Sequence, residues 1–327
     1  MKAVLCKAFG PPESLSIEEV EPLKPGKGQV VISVKACGVN FPDALIIQGK
    51  YQSKPPFPFT PGSEVSGIVK ELGEGVDFFK VGTHVMGFIG MGGFAEEVVA
   101  DASQIIPMPH TQDFTTASAF LLTYGTSYHA LKDRAQLQPG DILLVLGAAG
   151  GVGLAAVEIG KAMGARVIAA ASSDEKLEVC KQHGADEVIN YSTEDLRERV
   201  KQLTGGRGVD VAFDPLGGDY SEPVLRSMAW GGRFLVIGFA SGDIPRIPLN
   251  LPLLKVCSIV GVFWGAFMER NPKHGQENIH ELITWINEGR LKPHVSATYP
   301  LEHVADALND LMERKVTGKA VLVTNEA

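Results

Sequence analysis

What this chain holds little of narrows its nature first. Four cysteines are spread over 327 residues, at positions 6, 37, 180 and 257, and no two form a C-x-x-C pair. Spacing this wide gives neither a zinc knuckle nor a disulfide framework, so the thiols read as packed side chains in a reducing compartment. No apolar run reaches the ~20 residues that a helix needs to cross a bilayer. The opening Met1-Lys2-Ala3-Val4-Leu5 reads as a strand, not a signal peptide, and a cytoplasmic location is expected. Positive charge is also short, with 30 Lys+Arg against 38 Asp+Glu and a net charge of −8. That leaves no basic face for a polyanion, and nucleic acid is not an expected partner.

Glycine, by contrast, is plentiful at 37 residues, which suits many loops and tight crossovers. Hydrophobic residues at 45% and charged residues at 21% are those of an ordinary soluble protein. A chain of this length exceeds what one core usually organises, so two domains are expected.

The sharpest signal lies where Ile142-Leu143-Leu144-Val145-Leu146 runs into Gly147-Ala148-Ala149-Gly150-Gly151-Val152-Gly153 and then Leu154-Ala155-Ala156-Val157-Glu158-Ile159. An apolar strand, a glycine turn and a helix in that order are the setting of a dinucleotide fingerprint. Glycines let the backbone approach a pyrophosphate, whose charge meets free N–H groups at the helix N-terminus. The turn therefore nominates Ala149, Gly150, Gly151 and Val152 as cofactor-binding.

Around this motif the chain changes style. Up to about residue 120 it is strand-like and punctuated, as in Val30–Ala36 and the turns Pro25-Gly26 and Pro61-Gly62. From Thr123 strands alternate with helices. Strands are expected at Ile142–Leu146, Arg166–Ala171, Val209–Phe213, Arg233–Ile237 and Ser258–Val262, with a shorter one at Glu187–Ile189. Helices are expected near 152–163, 174–183, 195–203 and 219–229. Repeated units of this size predict an α/β fold with a doubly wound parallel sheet. Beyond residue 265, amphipathic helices at Asn278–Glu288 and Val304–Arg314 precede a strand at Lys319–Val323, a tail able to rejoin the first domain.

Three stretches carry a family resemblance. Ala36-Cys37-Gly38-Val39-Asn40-Phe41-Pro42-Asp43, Phe59-Thr60-Pro61-Gly62-Ser63-Glu64-Val65-Ser66-Gly67 and the Ala-Ala-Gly-Gly-Val-Gly turn follow one another as in medium-chain dehydrogenases/reductases. The chain resembles the zinc-independent quinone oxidoreductase branch, which includes zeta-crystallin. Phe263-Trp264-Gly265 and Ser173-Asp174-Glu175-Lys176 resemble the quinone oxidoreductase-like protein 2 group within it. The similarity runs from Met1 to about Val323. It implies a β-rich GroES-like catalytic domain (residues 1–122 and 266–327) into which a Rossmann NADPH-binding domain (123–265) is inserted. It also implies a homodimer joined through the last Rossmann strand, Ser258–Val262, whose edge would otherwise expose unpaired backbone.

Zinc-dependent relatives hold their metal with thiolate and imidazole. Against their pattern, Asn40 stands where the cysteine would be and Ser63 where the histidine would be, although Glu64 is kept. The structural zinc of that branch needs four clustered cysteines, and residues 38–179 contain none. No metal is expected, and Cys37 reads as a packed thiol.

The second strand ends at Ala171 where NAD-selective sites carry an acid. Ser172 and Ser173 follow, with Lys176 one turn on, a set able to donate to and neutralise a 2′-phosphate. The same turn also reads as a helix N-cap with a solvated lysine, and Asp174 and Glu175 add opposing charge. The resemblance implies that Tyr191 covers the 2′-phosphate and that Ile237, Gly238, Phe239 and Ala240 underlie the nicotinamide ribose. It likewise implies that Val262, Phe263 and Trp264 face the carboxamide and that Thr126 sits at the nicotinamide end. Phe239, Phe263 and Trp264 read equally as core or dimer packing.

Without a Lewis acid, hydride transfer suits an acceptor that already disperses charge. The expectation is an NADPH-dependent reductase of quinones or related conjugated carbonyls. Asn40 is implied at the nicotinamide ribose or an acceptor oxygen, Tyr51 near the nicotinamide, and Trp264 at the substrate. Leu45 replaces a tyrosine of many relatives, which makes the pocket more apolar. Asp43 and Glu64 read first as acceptors of backbone N–H groups, and His129 as a packed residue. Two alternatives stay open at this point: an enone or enoyl-thioester reductase, and a non-catalytic NADPH-binding protein.

Overall fold

The apolar run around Ile32 lies in an 11-residue strand, Gln29–Val39, that forms the spine of the first of two units. The structure is a computed structural model and describes residues 1–324. Its two units are Met1–Leu122 with the chain from Pro293 on, and Thr123–Lys292.

In the first unit the sheet runs Val295–Pro300, Lys319–Val323, Gln29–Val39, Glu64–Leu72, His84–Phe88 and Ile105–Pro107, and Glu97–Asp101 also pairs with the spine. All pairings are antiparallel except that of Val295–Pro300 with Lys319–Val323. Inward residues Ile32, Val34, Val65, Val69 and Val85 make the core. Helix Val304–Met312 lays Val304, Ala307 and Leu308 on it, an i, i+3, i+4 stripe that only a helix brings to one side. Each large aliphatic side chain so buried contributes roughly 1.5–3 kcal/mol.

The second unit holds a six-stranded parallel sheet in the order Glu187–Asn190, Arg166–Ala171, Ile142–Val145, Val209–Asp214, Met228–Val236, Ser258–Gly261. Numbered within the unit this is 3-2-1-4-5-6, the dinucleotide-binding order, whose ligand crevice lies off the carboxyl ends of the strands where the order reverses. The predicted strands all appear, as do helices Gly151–Ala162, Asp174–Gln182 and Leu196–Leu203. The fourth expected helix is short: a 3-10 turn at Gly218–Tyr220 leads into Ser221–Arg226, and the chain is a strand again by Met228.

One expected boundary is corrected. The return to the first unit comes at Pro293, not at 266. Helices Trp264–Arg270 and Pro272–Asn287 belong to the second unit because their apolar and polar partners are there. The Trp285 ring meets Tyr128 edge-on at 5.4 Å and Asn278 Nδ2 donates to Asp133 at 2.8 Å. Among the described residues no helix is long and apolar enough to cross a membrane.

Candidate functional site

In the second unit the glycine turn has the geometry that its sequence promised. Gly147 takes φ +53°, Ala148 N–H donates to Ala170 O, and Gly150 caps helix Gly151–Ala162 with no side chain of its own. A helix start without a side-chain cap leaves N–H groups of its first turn turned outward, the donors an anion meets. A Cβ on Gly153 would lie 2.3 Å from Gly147 O, so only glycine lets the helix approach its own turn. Ala149 is buried, while Gly150, Gly151 and Val152 are half-buried.

Thr126 lies on helix Leu121–Tyr128, and the next residue fixes that helix to the turn: Ser127 Oγ donates to Val152 O at 2.7 Å. Trp264 is buried, and its indole occupies the space beside Gly125, where a Cβ would stand 2.5 Å from the ring. Trp264 thus packs beside the Thr126 segment. Phe263 and Phe239 are exposed instead. Val262 N–H donates to Val236 O, continuing the sheet pairing.

The loop Ile237–Ala240 is tied to the neighbouring strand end, where Ile237 and Gly238 N–H groups donate to Asp214 O and Ala240 N–H donates to Pro215 O. Sequence reasoning passed over Asp214. Its buried carboxylate accepts from Leu216 N–H, Gly217 N–H (both 2.9 Å) and Ser221 Oγ (2.6 Å), holding the loop against which Ile237–Ala240 rests. Burial pushes this carboxyl above its ordinary range, against the pull of those three donors. A carboxylate ending a strand is a weak signal, because it equally reads as a turn residue.

At the end of Arg166–Ala171 the four expected phosphate-side residues come together on two adjacent strand ends. Ser173 caps Asp174–Gln182 by accepting from Lys176 N–H, and Lys176 Nζ folds back to Ser172 Oγ at 3.4 Å. Tyr191 N–H donates to Ala171 O, which sets the ring one strand over, tilted on Tyr220 at 4.8 Å. Asp174, the expected opposing charge, is engaged by Asn190 Nδ2 at 2.8 Å. A cavity of about 610 Å³ opens beside Tyr191, with Tyr220, Asp219 and Arg226 among its lining.

In the first unit, Asn40 ends the spine strand and caps helix Phe41–Ile47, its N–H donating to Asp43 Oδ2 at 2.8 Å. Its side chain is almost fully enclosed. Nδ2 donates to Gly38 O (3.1 Å) and Glu64 Oε2 (3.3 Å), and Oδ1 accepts from Lys319 Nζ at 2.5 Å. Glu64 Oε1 accepts from Leu122 N–H at 3.0 Å. Both carboxyls are buried, and burial raises them: Glu64 above its ordinary range, Asp43 to about 7. Both do accept backbone N–H groups, as their sequence setting suggested. Tyr51 packs on the core of this unit, and burial raises its phenol. Cys37 is an enclosed thiol held well above its ordinary range by burial. His129 is packed, stacked on Phe267 at 4.0 Å with Nδ1 2.7 Å from Asp133. Lys319 was missed altogether. A lysine heading an apolar closing strand reads as solvated, and its partners lie 279 and 255 residues away.

Two family models match the chain: "Alcohol dehydrogenase GroES-like domain" over residues 26–110 and "Zinc-binding dehydrogenase" over 151–288. The chain is 40% identical to the quinone oxidoreductase-like protein 2 homolog of Nematostella vectensis, across 99% of this chain and 89% of that protein. It is 35% identical to the quinone oxidoreductase of Rattus norvegicus, across 99% and 98%. The crystal structure of Escherichia coli quinone oxidoreductase complexed with NADPH is similar with a TM-score of 0.92 at 29% identity, covering 99% of this chain and 100% of that one.

Proposed function

Because the chain belongs to the medium-chain dehydrogenase/reductase family, we propose that it is an NADPH-dependent reductase passing hydride to quinones or related conjugated carbonyls without a metal ion. The observation that carries the cofactor choice is the turn after Ala171. Ser172 Oγ and Lys176 Nζ converge there, no carboxylate ends the strand, and Asp174 is engaged by Asn190. A 2′-phosphate at that turn would meet a cation and hydroxyl donors, with Tyr191 over it. The outward N–H groups at Gly151 and Val152 suit the pyrophosphate. Relatives named quinone oxidoreductase, one of them solved with NADPH, support the same reading.

The metal-free part is supported by the donor set around Glu64. The amide oxygen of Asn40 is engaged by an ammonium, Ser63 offers only a hydroxyl, and Glu64 already has Lys319 3.5 Å away. Neutral oxygen donors and a resident cation disfavour Zn²⁺. Among the described residues no group of three His, Cys, Asp or Glu side chains suits a metal.

When bound, NADPH supplies the hydride, and this chain's residues bind and orient. The half-buried Thr126 is fixed by its neighbours at the nicotinamide end. Asn40 offers an acceptor to the nicotinamide ribose, since both its amide hydrogens are engaged. A quinone disperses the incoming charge itself, so positioning carries most of the burden. The same proposal includes a homodimer through Ser258–Gly261 and a cytoplasmic location, the latter consistent with four buried free thiols.

Titration with NADPH and NADH, metal analysis, and turnover over quinones, enones and enoyl thioesters test this together. The expected result is tighter binding of NADPH, quinones preferred in kcat/KM, and activity unchanged by chelator. Tighter NADH binding would overturn the cofactor assignment, and stoichiometric zinc needed for turnover would overturn the metal-free mechanism. Tight NADPH binding with no acceptor turned over would favour a non-catalytic role.

A further inference from the structure

The side-chain network at the head of helix Phe41–Ile47 is closed, and a lysine closes it. Lys319 is buried, and its three ammonium hydrogens have three acceptors: Val39 O at 3.1 Å, Asn40 Oδ1 at 2.5 Å and Glu64 Oε2 at 3.5 Å. The two hydrogens of Asn40 Nδ2 are likewise engaged, by Gly38 O and Glu64 Oε2. A neutral amide can rotate by half a turn and exchange its donor and acceptor ends. Beside an ammonium it cannot, since an NH2 group facing NH3⁺ loses a charge-assisted bond and leaves both donors without acceptors. Oδ1 is thereby held as the acceptor end of this side chain, where it also takes part in the capping box of helix Phe41–Ile47.

We propose that Lys319 is a positioning residue for the nicotinamide half of the cofactor. Its ammonium fixes the Asn40 amide so that Asn40 presents an acceptor, and it balances the buried Glu64 carboxylate 3.5 Å away. The ligand group this arrangement recognises is a hydroxyl donor, such as a ribose hydroxyl, and not a carbonyl oxygen. Charge accounting agrees with geometry. Without Lys319 the cluster keeps Glu64 and Asp43, two buried carboxyls already raised by burial, with no cation beside them.

This inference rests on the reading that Asn40 serves the nicotinamide ribose, so its test reads binding and needs no acceptor. NADPH and 2′,5′-ADP, which lacks the nicotinamide half, are titrated against the full chain and the variants Lys319→Met, Asn40→Ala and the double variant. Each single variant is expected to weaken NADPH about five- to tenfold, the scale of one neutral hydrogen bond, while 2′,5′-ADP changes less than about threefold. The double variant is expected to be no weaker than the poorer single, because Lys319 acts through Asn40. Multiplying effects, or NADPH binding untouched in Lys319→Met, would overturn the inference. A second variant guards against misfolding: Lys319→Arg keeps the charge and is expected to hold NADPH within about threefold of the parent, whereas a loss as large as that expected of Lys319→Met at unchanged thermal midpoint would overturn it. Failure of the enzymatic reading shows separately, as absence of turnover in the parent chain.

Discussion

Asp43 illustrates how one enclosed carboxyl writes itself into the stability of its unit. Burial pushes it up to about 7, although Asn40 N–H and the Lys319 charge pull it down. The unfolded chain gives up the same proton near the ordinary value of 3.8. Between those values the native state keeps a proton that the unfolded state has lost, so stability falls as pH rises through the window and levels off above it. Asp43→Asn keeps an acceptor for Asn40 N–H and removes the titration. Urea unfolding at pH 4.5 and pH 8 is expected to show a drop in the parent that is smaller in the variant by about 1–4 kcal/mol. Equal drops would contradict it. Asp133 acts in the opposite sense. Although burial opposes it, bonds from His129, His274 and Asn278 bring its carboxyl down to about 2, so its contribution is present above the ordinary value and is lost as pH falls toward 2.

Lys176 makes the second residue-scale prediction. Its side chain returns to Ser172 above a cap that Ser173 makes regardless of ligand. Lys176→Ala should therefore leave the helix intact and raise KM for NADPH by about 10- to 100-fold, the worth of a charge-assisted hydrogen bond, with little change for NADH. Parallel loss with both cofactors, read from initial rates, would place Lys176 in folding instead of recognition.

At the level of elements, the glycine turn separates two roles that its sequence merges. A Cβ at Gly153 would meet Gly147 O at 2.3 Å, whereas one at Gly150 would stand 3.4 Å from the same oxygen in ordinary contact. Gly153→Ala is expected to destabilise by about 1–3 kcal/mol, as overpacking does, and to shift the helix start. Gly150→Ala is expected to keep its thermal midpoint and lose NADPH affinity, since its methyl group would crowd only the ligand side. A calorimetric scan and a fluorescence titration of each variant decide the matter. If Gly153→Ala were as stable as the parent, the close approach would not govern the turn.

The same scale shows what was legible from the chain. Strands with β-branched and aliphatic runs, such as Arg166–Ala171 and Val209–Asp214, announce themselves because burial on both faces demands continuous apolar sequence. Ser173 as cap and the glycine turn ahead of helix Gly151–Ala162 were equally readable, being local. The short helix Ser221–Arg226 was overestimated because the sheet reclaims the chain at Met228, a demand set by pairing with distant strands. The allegiance of Pro272–Asn287 was misjudged for a related reason. Its amphipathic stripe states that it packs, but not whether Tyr128 or another surface receives it. Lys319 and Asp214 were invisible because their meaning lies in partners that folding brings together.

For the molecule as a whole, the open edge of the parallel sheet bears on assembly. Ser258–Gly261 pairs with Met228–Val236 on one side, and Ile259 on it is 41% exposed. Just before it, Leu249, Leu253, Leu254 and Val256 stand between 52% and 78% exposed, a run of large apolar side chains that water solvates poorly. Arg134 Nε donates to Gly261 O and closes only the far end of the strand. An edge and an adjacent apolar surface of this kind suit a two-fold copy of themselves, in which the strands would pair antiparallel and the leucines would cover one another. Light scattering at micromolar concentration is expected to give twice the 34.9 kDa chain mass. Leu253→Glu with Ile259→Lys should move the protein to a single chain mass, because carboxylates and ammonium groups would be desolvated at the contact. Both substitutions lie on exposed positions, so NADPH affinity is expected to survive in the monomer. A parent protein that already runs at one chain mass, or a variant that stays dimeric, would place the assembly surface elsewhere.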